Sequence, residues 1–195
     1  VILMVQDKNK NLAGSVTIVF DGSSSLPATS IYQNELNDLR IRGSRMAELS
    51  RLVINPDYRN SKEILILLFN CLAIYIHHVQ LYNSFIVQVN PRHKNYYKAL
   101  LSFDEIGAEK ACPSVQNAPA ILLYLPLSRY QSEVIRCTTQ ANLNKRERSL
   151  YPQFLRPEQE KLVSSYLQNQ VKPMNIEEKI YFGFTESGVG RAVCI

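Results

Sequence analysis

Apolar and polar positions alternate from residue 47 and turn wholly apolar at 52–54; after a polar stretch, an almost unbroken apolar run covers 64–79. The alternation predicts a strand that begins half-buried and turns apolar. Asn55-Pro56-Asp57 is a turn signal, and Pro56 has no N–H to give a ladder, so the strand stops there. Ser61 can cap the next segment, with Glu63 in its first turn against the positive end of the helix dipole. The run that follows is too long for an average strand and reads as a buried helix. Upstream, 1–6 and 15–20 are β-rich runs around Asp7-Lys8-Asn9-Lys10-Asn11, with Gly14 just before the second. They predict an antiparallel hairpin with a longer loop. A flexible connection follows at 21–25, and 27–40 reads as a short exposed helix over an opening. Downstream come a strand at 84–89 closed by Asn90-Pro91, a helix at 94–101, a strand beginning at 103–106, a loop at 113–119 and a strand at 120–125. The order β-β-loop-β-α-β-α-β-β contains one β-α-β unit with a right-handed crossover, set in an otherwise antiparallel or mixed sheet.

At 195 residues, 46% hydrophobic and 20% charged, the chain is long enough for a substantial core and too apolar for disorder. The run at 64–79 falls short of the roughly 20 residues a membrane span needs, so no integral span is expected. Nothing at Val1 resembles the basic and small-residue features of a secretory leader. Cys71, Cys112, Cys137 and Cys194 are widely spaced without a C-x-x-C pair. This argues against zinc, metal in general and a disulfide framework, and fits reduced thiols in a cytoplasmic setting. The net charge of +5 favours an acidic partner. An aromatic-plus-basic RNA-binding motif is missing, so nucleic acid is the weakest candidate. From about residue 129 the chain becomes locally basic, with Arg136, Lys145, Arg146 and Arg148 outweighing Glu133 and Glu147. A helical pattern spans 157–170, and 180–184 reads as a last strand. The division expected is a core over 1–130 and an extension over 131–195 packed on it, forming one structural domain.

The strand, short loop and buried helix around Glu48 and Arg51 form a unit suited to placing an anionic ligand on a helix N-terminus. The element order resembles the core of the GNAT acyltransferase superfamily. Asn90, Tyr97 and Phe103 also resemble that superfamily's pattern after its second central strand. Two features resemble narrower families. Glu48-Leu49-Ser50-Arg51 is similar to the Glu-x-x-Arg of acyl-homoserine-lactone synthases. The run Asn90-Pro91-Arg92-His93-Lys94-Asn95-Tyr96-Tyr97, with Phe103-Asp104-Glu105-Ile106-Gly107 and Ala118-Pro119-Ala120, is similar to long-chain N-acyl amino acid synthases. The resemblance covers roughly 1–130. It implies an α/β (α+β) fold, GNAT-like, with a mostly antiparallel twisted sheet flanked by helices and a helical basic C-terminal extension.

The same resemblance implies transfer of a long-chain acyl group to an amino acid's α-amine, with tyrosine or another aromatic as the guessed acceptor. CoA-dependent members usually carry a glycine-rich loop that lets backbone N–H groups close on a pyrophosphate. Here the loop is Arg59-Asn60-Ser61-Lys62-Glu63, without glycine. Phosphopantetheine on an acyl carrier protein offers one phosphodiester and makes a smaller demand. The expected donor is therefore acyl-phosphopantetheine supplied by acyl carrier protein as co-substrate, with no bound cofactor.

An α-amine with a pKa near 8 must lose a proton before attacking a thioester, and Glu48 is the candidate general base. Arg51 would orient that carboxylate or bind the acceptor's carboxylate. Three residues on in a regular strand, it faces the other way from Glu48, so a pair needs a bulge. Tyr97 would protonate the leaving thiolate or hydrogen-bond it. Ser50, Leu52, Val53, Arg59 and Asn90 are the candidate acyl and pantetheine contacts. Arg92, Lys94, Arg136, Lys145, Arg146 and Arg148 are the candidate carrier-protein contacts. Structural roles compete at each: an ion pair for Glu48 and Arg51, core packing for Tyr97, a solvated loop for Lys94. The competing functions are a CoA-dependent N-acetyltransferase and a non-catalytic carrier-protein-binding module.

Overall fold

The computed structural model describes residues 1–22, 25–59, 62–139, 147–184 and 190–195. Strands β1 (Ile2–Gln6) and β2 (Leu12–Phe20) form the expected hairpin. The second strand starts earlier than its sequence suggests and takes in Gly14, where the helix that follows β3 in the chain passes directly overhead. A Cβ on Gly14 would come within 2.9 Å of Ile64 and 3.2 Å of Leu68. Helix α1 (Thr29–Ile41) follows, then β3 (Met46–Ile54), α2 (Glu63–Ile74), β4 (Ser84–Val89), α3 (Lys94–Leu101), β5 (Asp104–Cys112) and β6 (Ala118–Pro126). C-terminal to β6 come α4 (Leu127–Thr139), which crosses the expected boundary at 130, then α5 (Pro157–Asn169), β7 (Val171–Pro173), α6 (Ile176–Tyr181) and β8 (Arg191–Cys194).

All eight strands join one sheet in the order β5-β6-β4-β3-β2-β1-β8-β7. The β3/β4 and β1/β8 pairs are parallel and the rest antiparallel. α2 is the crossover of the β3-α2-β4 unit, and β3 ends where Pro56 predicts, with the Asn55 side chain accepting the Asp57 N–H at 3.1 Å. The larger core lies between the sheet and α2, where Leu68, Phe69, Leu72 and Ile74 are buried. A second, smaller core lies under α1 on the opposite face. Asn70 fits the first core because both ends of its amide are occupied. It donates to the Ile66 carbonyl at 3.0 Å and accepts the Leu155 N–H at 2.8 Å, which pins the extension to α2.

Three expectations are corrected. The segment read as an exposed helix is half-buried: Tyr32, Leu36 and Leu39 of α1 are core residues, and the Tyr32 hydroxyl donates to carbonyls of β5 and β6. The segment read as a last strand at 180–184 carries the end of α6. Its capping box, Asn175 with Glu178 three residues on, starts a helix and overrides the β-forming Ile180-Tyr181-Phe182. The extension, expected to be helical apart from that one strand, adds β7 and β8 to the sheet. The Ser61 cap falls outside the described residues; α2 is preceded by Lys62, which makes no side-chain cap bond.

Candidate active site

β3 does not keep one register with β2. Thr17 pairs with Ser50 and Ser15 with Val53, so Val16 alone opposes Arg51 and Leu52. Arg51 sits at φ 50°, in the left-handed region that side chains seldom adopt. This bulge reverses which residues face which side. Before it, Ala47 and Leu49 point to the α2 core; after it, Leu52 and Ile54 do. Arg51 and Val53 therefore share the side taken by Met46 and Glu48. The β3/β4 ladder ends at Leu49 and Val87, and past that point the two strands separate.

Two cavities meet at the bulge. One, of about 790 Å³, fills the gap between the end of β3 and the end of β4. Leu65 and Phe69 of α2 supply its apolar floor, with Tyr96 and Tyr97 of α3 beyond and Arg59 at its edge. The other, of about 840 Å³, lies on the Val53 side of β3, bounded by Asn11, Ser15, Asn55 and residues 181–183. Arg51 and Val53 border both. Among the described residues β3 has no β4 partner past Leu49, and with Ser50 and Val53 paired to β2 the backbone at Arg51 and Leu52 is the part of β3 beside the cleft.

Glu48 lies one β-repeat before the bulge and is 1% exposed. One carboxylate oxygen accepts the Ala28 N–H at 2.9 Å, at the start of α1. Burial pushes its pKa up to about 7, and the Ala28 N–H pulls weakly the other way. Thr17 and Ser50, cross-strand partners, stand on its face between it and the bulge. Tyr97 is held edge-on against Phe103 and Tyr96, at 5.6 and 5.7 Å between ring centres. Burial raises its pKa to about 12. At the cleft Tyr97 is suited to hydrogen-bond a thiolate while keeping its own proton.

Residues 1–126 match the family model described as N-acyl amino acid synthase FeeM. The chain belongs to that family. Among solved structures, FeeM, an N-acyl amino acid synthase from uncultured soil microbes, is 31% identical with a TM-score of 0.56. The match covers 64% of this chain and 66% of that one, so it spans just under two thirds of the relative. Spermidine/spermine N-acetyltransferase SpeG from Vibrio cholerae is 19% identical over 65% of each chain, at a TM-score of 0.45, a likeness of outline alone. A search of curated proteins found no match.

Within this FeeM-family chain the expected residues divide. Ser50, Arg51, Leu52, Val53, Arg59 and Tyr97 all border the β3/β4 cleft. Asn90 instead ends β4 and closes a turn, its side chain accepting the Arg92 N–H at 3.2 Å. Glu48 was expected to share a slot with the α2 helix; it points to the opposite face, under α1, and borders neither cavity. The bulge that a Glu48–Arg51 pair required is present, yet the pair is not. Arg51 donates to the Phe182 carbonyl and Glu48 accepts from Ala28. Arg92 is exposed beside His93, which borders the cleft. Lys94 is paired with Glu105, and Arg136 with Glu133 and Glu147 at 2.8 and 3.0 Å. No residue of α4 borders the cleft, so Arg136 stands apart from it; Arg148 is exposed, and Lys145 and Arg146 lie outside the described residues. Sequence reasoning missed the wall at residues 181–183, which the Asn175/Glu178 capping signal was the one clue to. Among the described residues no helix is long and apolar enough to cross a membrane.

Proposed function

We propose that this chain moves a long-chain acyl group from the phosphopantetheine of an acyl carrier protein to the α-amine of a free amino acid. The observation that carries the reading is the meeting of two cavities, on either side of the β3 bulge, at Arg51 and Val53. Direct aminolysis needs that layout: a thioester from one side, an amine from the other, and one point of contact. The donor takes the β3/β4 cleft, with its apolar Leu65 and Phe69 floor and Arg59 at the rim. The acceptor takes the cavity beside Ser15 and Val53.

The amine nitrogen attacks the thioester carbon, the carbonyl oxygen gathers charge against β3 N–H groups at the bulge, and the C–S bond then breaks, the departing sulfur hydrogen-bonded by the Tyr97 hydroxyl and taking up the second proton lost by the nitrogen. Glu48, with a pKa of about 7, is matched to an ammonium near 8 as proton acceptor. Its carboxyl borders neither cavity, so that proton has to be relayed, and Ser50, which lines the cleft and shares Glu48's face of the strand, is the side chain placed to relay it. The glycine-free loop at 59–63 and the net charge of +5 favour a carrier protein over CoA as donor.

The test is to offer the protein one acyl chain, on carrier protein or on CoA, with a pool of the twenty amino acids, and to read amide-linked lipid by mass spectrometry. Product from the carrier thioester supports the whole reading. Product from CoA alone overturns the choice of donor, and folded protein that forms no amide from either thioester overturns the function.

A further inference from the structure

The family match stops at residue 126, yet one wall of the acceptor-side cavity is built by residues 181–183 of the extension. The local sequence places that wall firmly. Asn175 and Glu178 exchange capping bonds at 2.7 and 3.0 Å to start α6, and Lys172 on β7 holds Glu178 at 3.1 Å. β7 and β8 carry the segment onto the sheet edge beside β1. α6 then ends in Tyr181, and Gly183 turns the chain at φ 72°. Here the wall is tied back to the bulge: the Arg51 guanidinium donates to the Phe182 carbonyl, 131 residues away in sequence. The fit against Arg51 is close, since a Cβ on Gly183 would lie 3.3 Å from its Nη1.

Tyr181 and Val53 border this cavity while remaining 73% and 53% exposed. Large apolar side chains left uncovered inside one concave site are surface that a ligand group can cover. The Tyr181 ring is also braced, packing edge-on against Phe182 at 4.9 Å and 89°.

We propose that Tyr181–Gly183, clamped to the β3 bulge by Arg51, forms the wall that reads the acceptor's side chain. The segment thereby sets which amino acids are acylated. The inference rests on the acceptor occupying the Val53-side cavity, as argued above. The acceptor's amine has to reach the bulge, so its side chain extends away from it, across Val53 and toward Tyr181. Neither Tyr181 nor Gly183 takes part in the bond-making step; their role is selection and positioning. Arg51 is thus committed to the wall through its Phe182 contact.

The experiment measures kcat/KM for each of the twenty amino acids, with one acyl-carrier donor, in the wild type, Tyr181→Ala, Tyr181→Phe and Gly183→Ala. Tyr181 is mostly exposed, so its substitution leaves the fold alone. Tyr181→Ala and Gly183→Ala should each change the ratio between the best and a poorer acceptor by about tenfold or more. The change should appear in acceptor KM, with donor KM unmoved, and Tyr181→Phe should keep the wild-type order. An order of acceptors unchanged within about twofold in Tyr181→Ala, with wild type active, overturns this inference and leaves the proposed function standing. A wild type that acylates no amino acid overturns the function and the inference together.

Discussion

Replacing Glu48 with glutamine should flatten part of the pH dependence of stability, by an amount the structure fixes. The carboxyl is 1% exposed and its pKa is about 7, against 4.5 when unfolded. Between those two values the native state holds a proton that the unfolded chain has released. Stability from this group is therefore full below about 4.5 and is lost as the pH rises through 7. From pH 5 to pH 8 the loss comes to about 2–3 kcal/mol. Glutamine keeps an oxygen for the Ala28 N–H and has no proton to lose. Urea unfolding of both proteins at half-unit steps from pH 5 to 8 reads the difference directly. All other titrating groups cancel in the comparison, and any constant effect of the amide drops out of the slope. The glutamine variant should gain on the wild type steadily as the pH rises. Curves that stay parallel within about 0.5 kcal/mol would refute the claim that burial dominates at this carboxyl. The same pair tests the chemistry. Wild-type kcat/KM should climb to a plateau above about pH 7, and the variant should turn over at least about 100-fold more slowly. Full turnover in the variant removes Glu48 from the proton-accepting role and leaves the fold untouched.

Tyr97→Phe should lower kcat by about tenfold, the worth of one hydrogen bond to a leaving thiolate, with acceptor KM unchanged. The deficit should vanish with a thioester whose thiol is a much better leaving group; a deficit that persists there places Tyr97 elsewhere in the reaction. Asn70→Ala should destabilise the protein by about 1–2 kcal/mol in urea unfolding, because the partly buried Leu155 N–H loses its 2.8 Å acceptor. A change below about 0.5 kcal/mol would show that this amide contributes nothing measurable to holding the extension on α2.

Much of the frame was legible in the chain. Alternation from Ala47 closing on the apolar 52–54, a turn proline, an apolar run and another apolar strand determined β3, α2 and β4 and the parallel pairing between the strands. Local chemistry suffices there, since each element's burial pattern and its stop signal lie within a few residues. The motif around Glu48 and Arg51 and the run from Asn90 to Tyr97 were enough to point to the family. What the sequence could not supply was the facing of β3 across its bulge. Alternation assigns faces only while the ladder keeps register, and one extra residue reverses every later assignment. That reversal put Arg51 on Glu48's face, and the start of α1 then took the carboxylate that pairing would have given to Arg51. Residues 181–183 escaped for a different reason. Their place beside Arg51 comes from β8 lying parallel to β1, a contact between the two ends of the chain that no local pattern encodes.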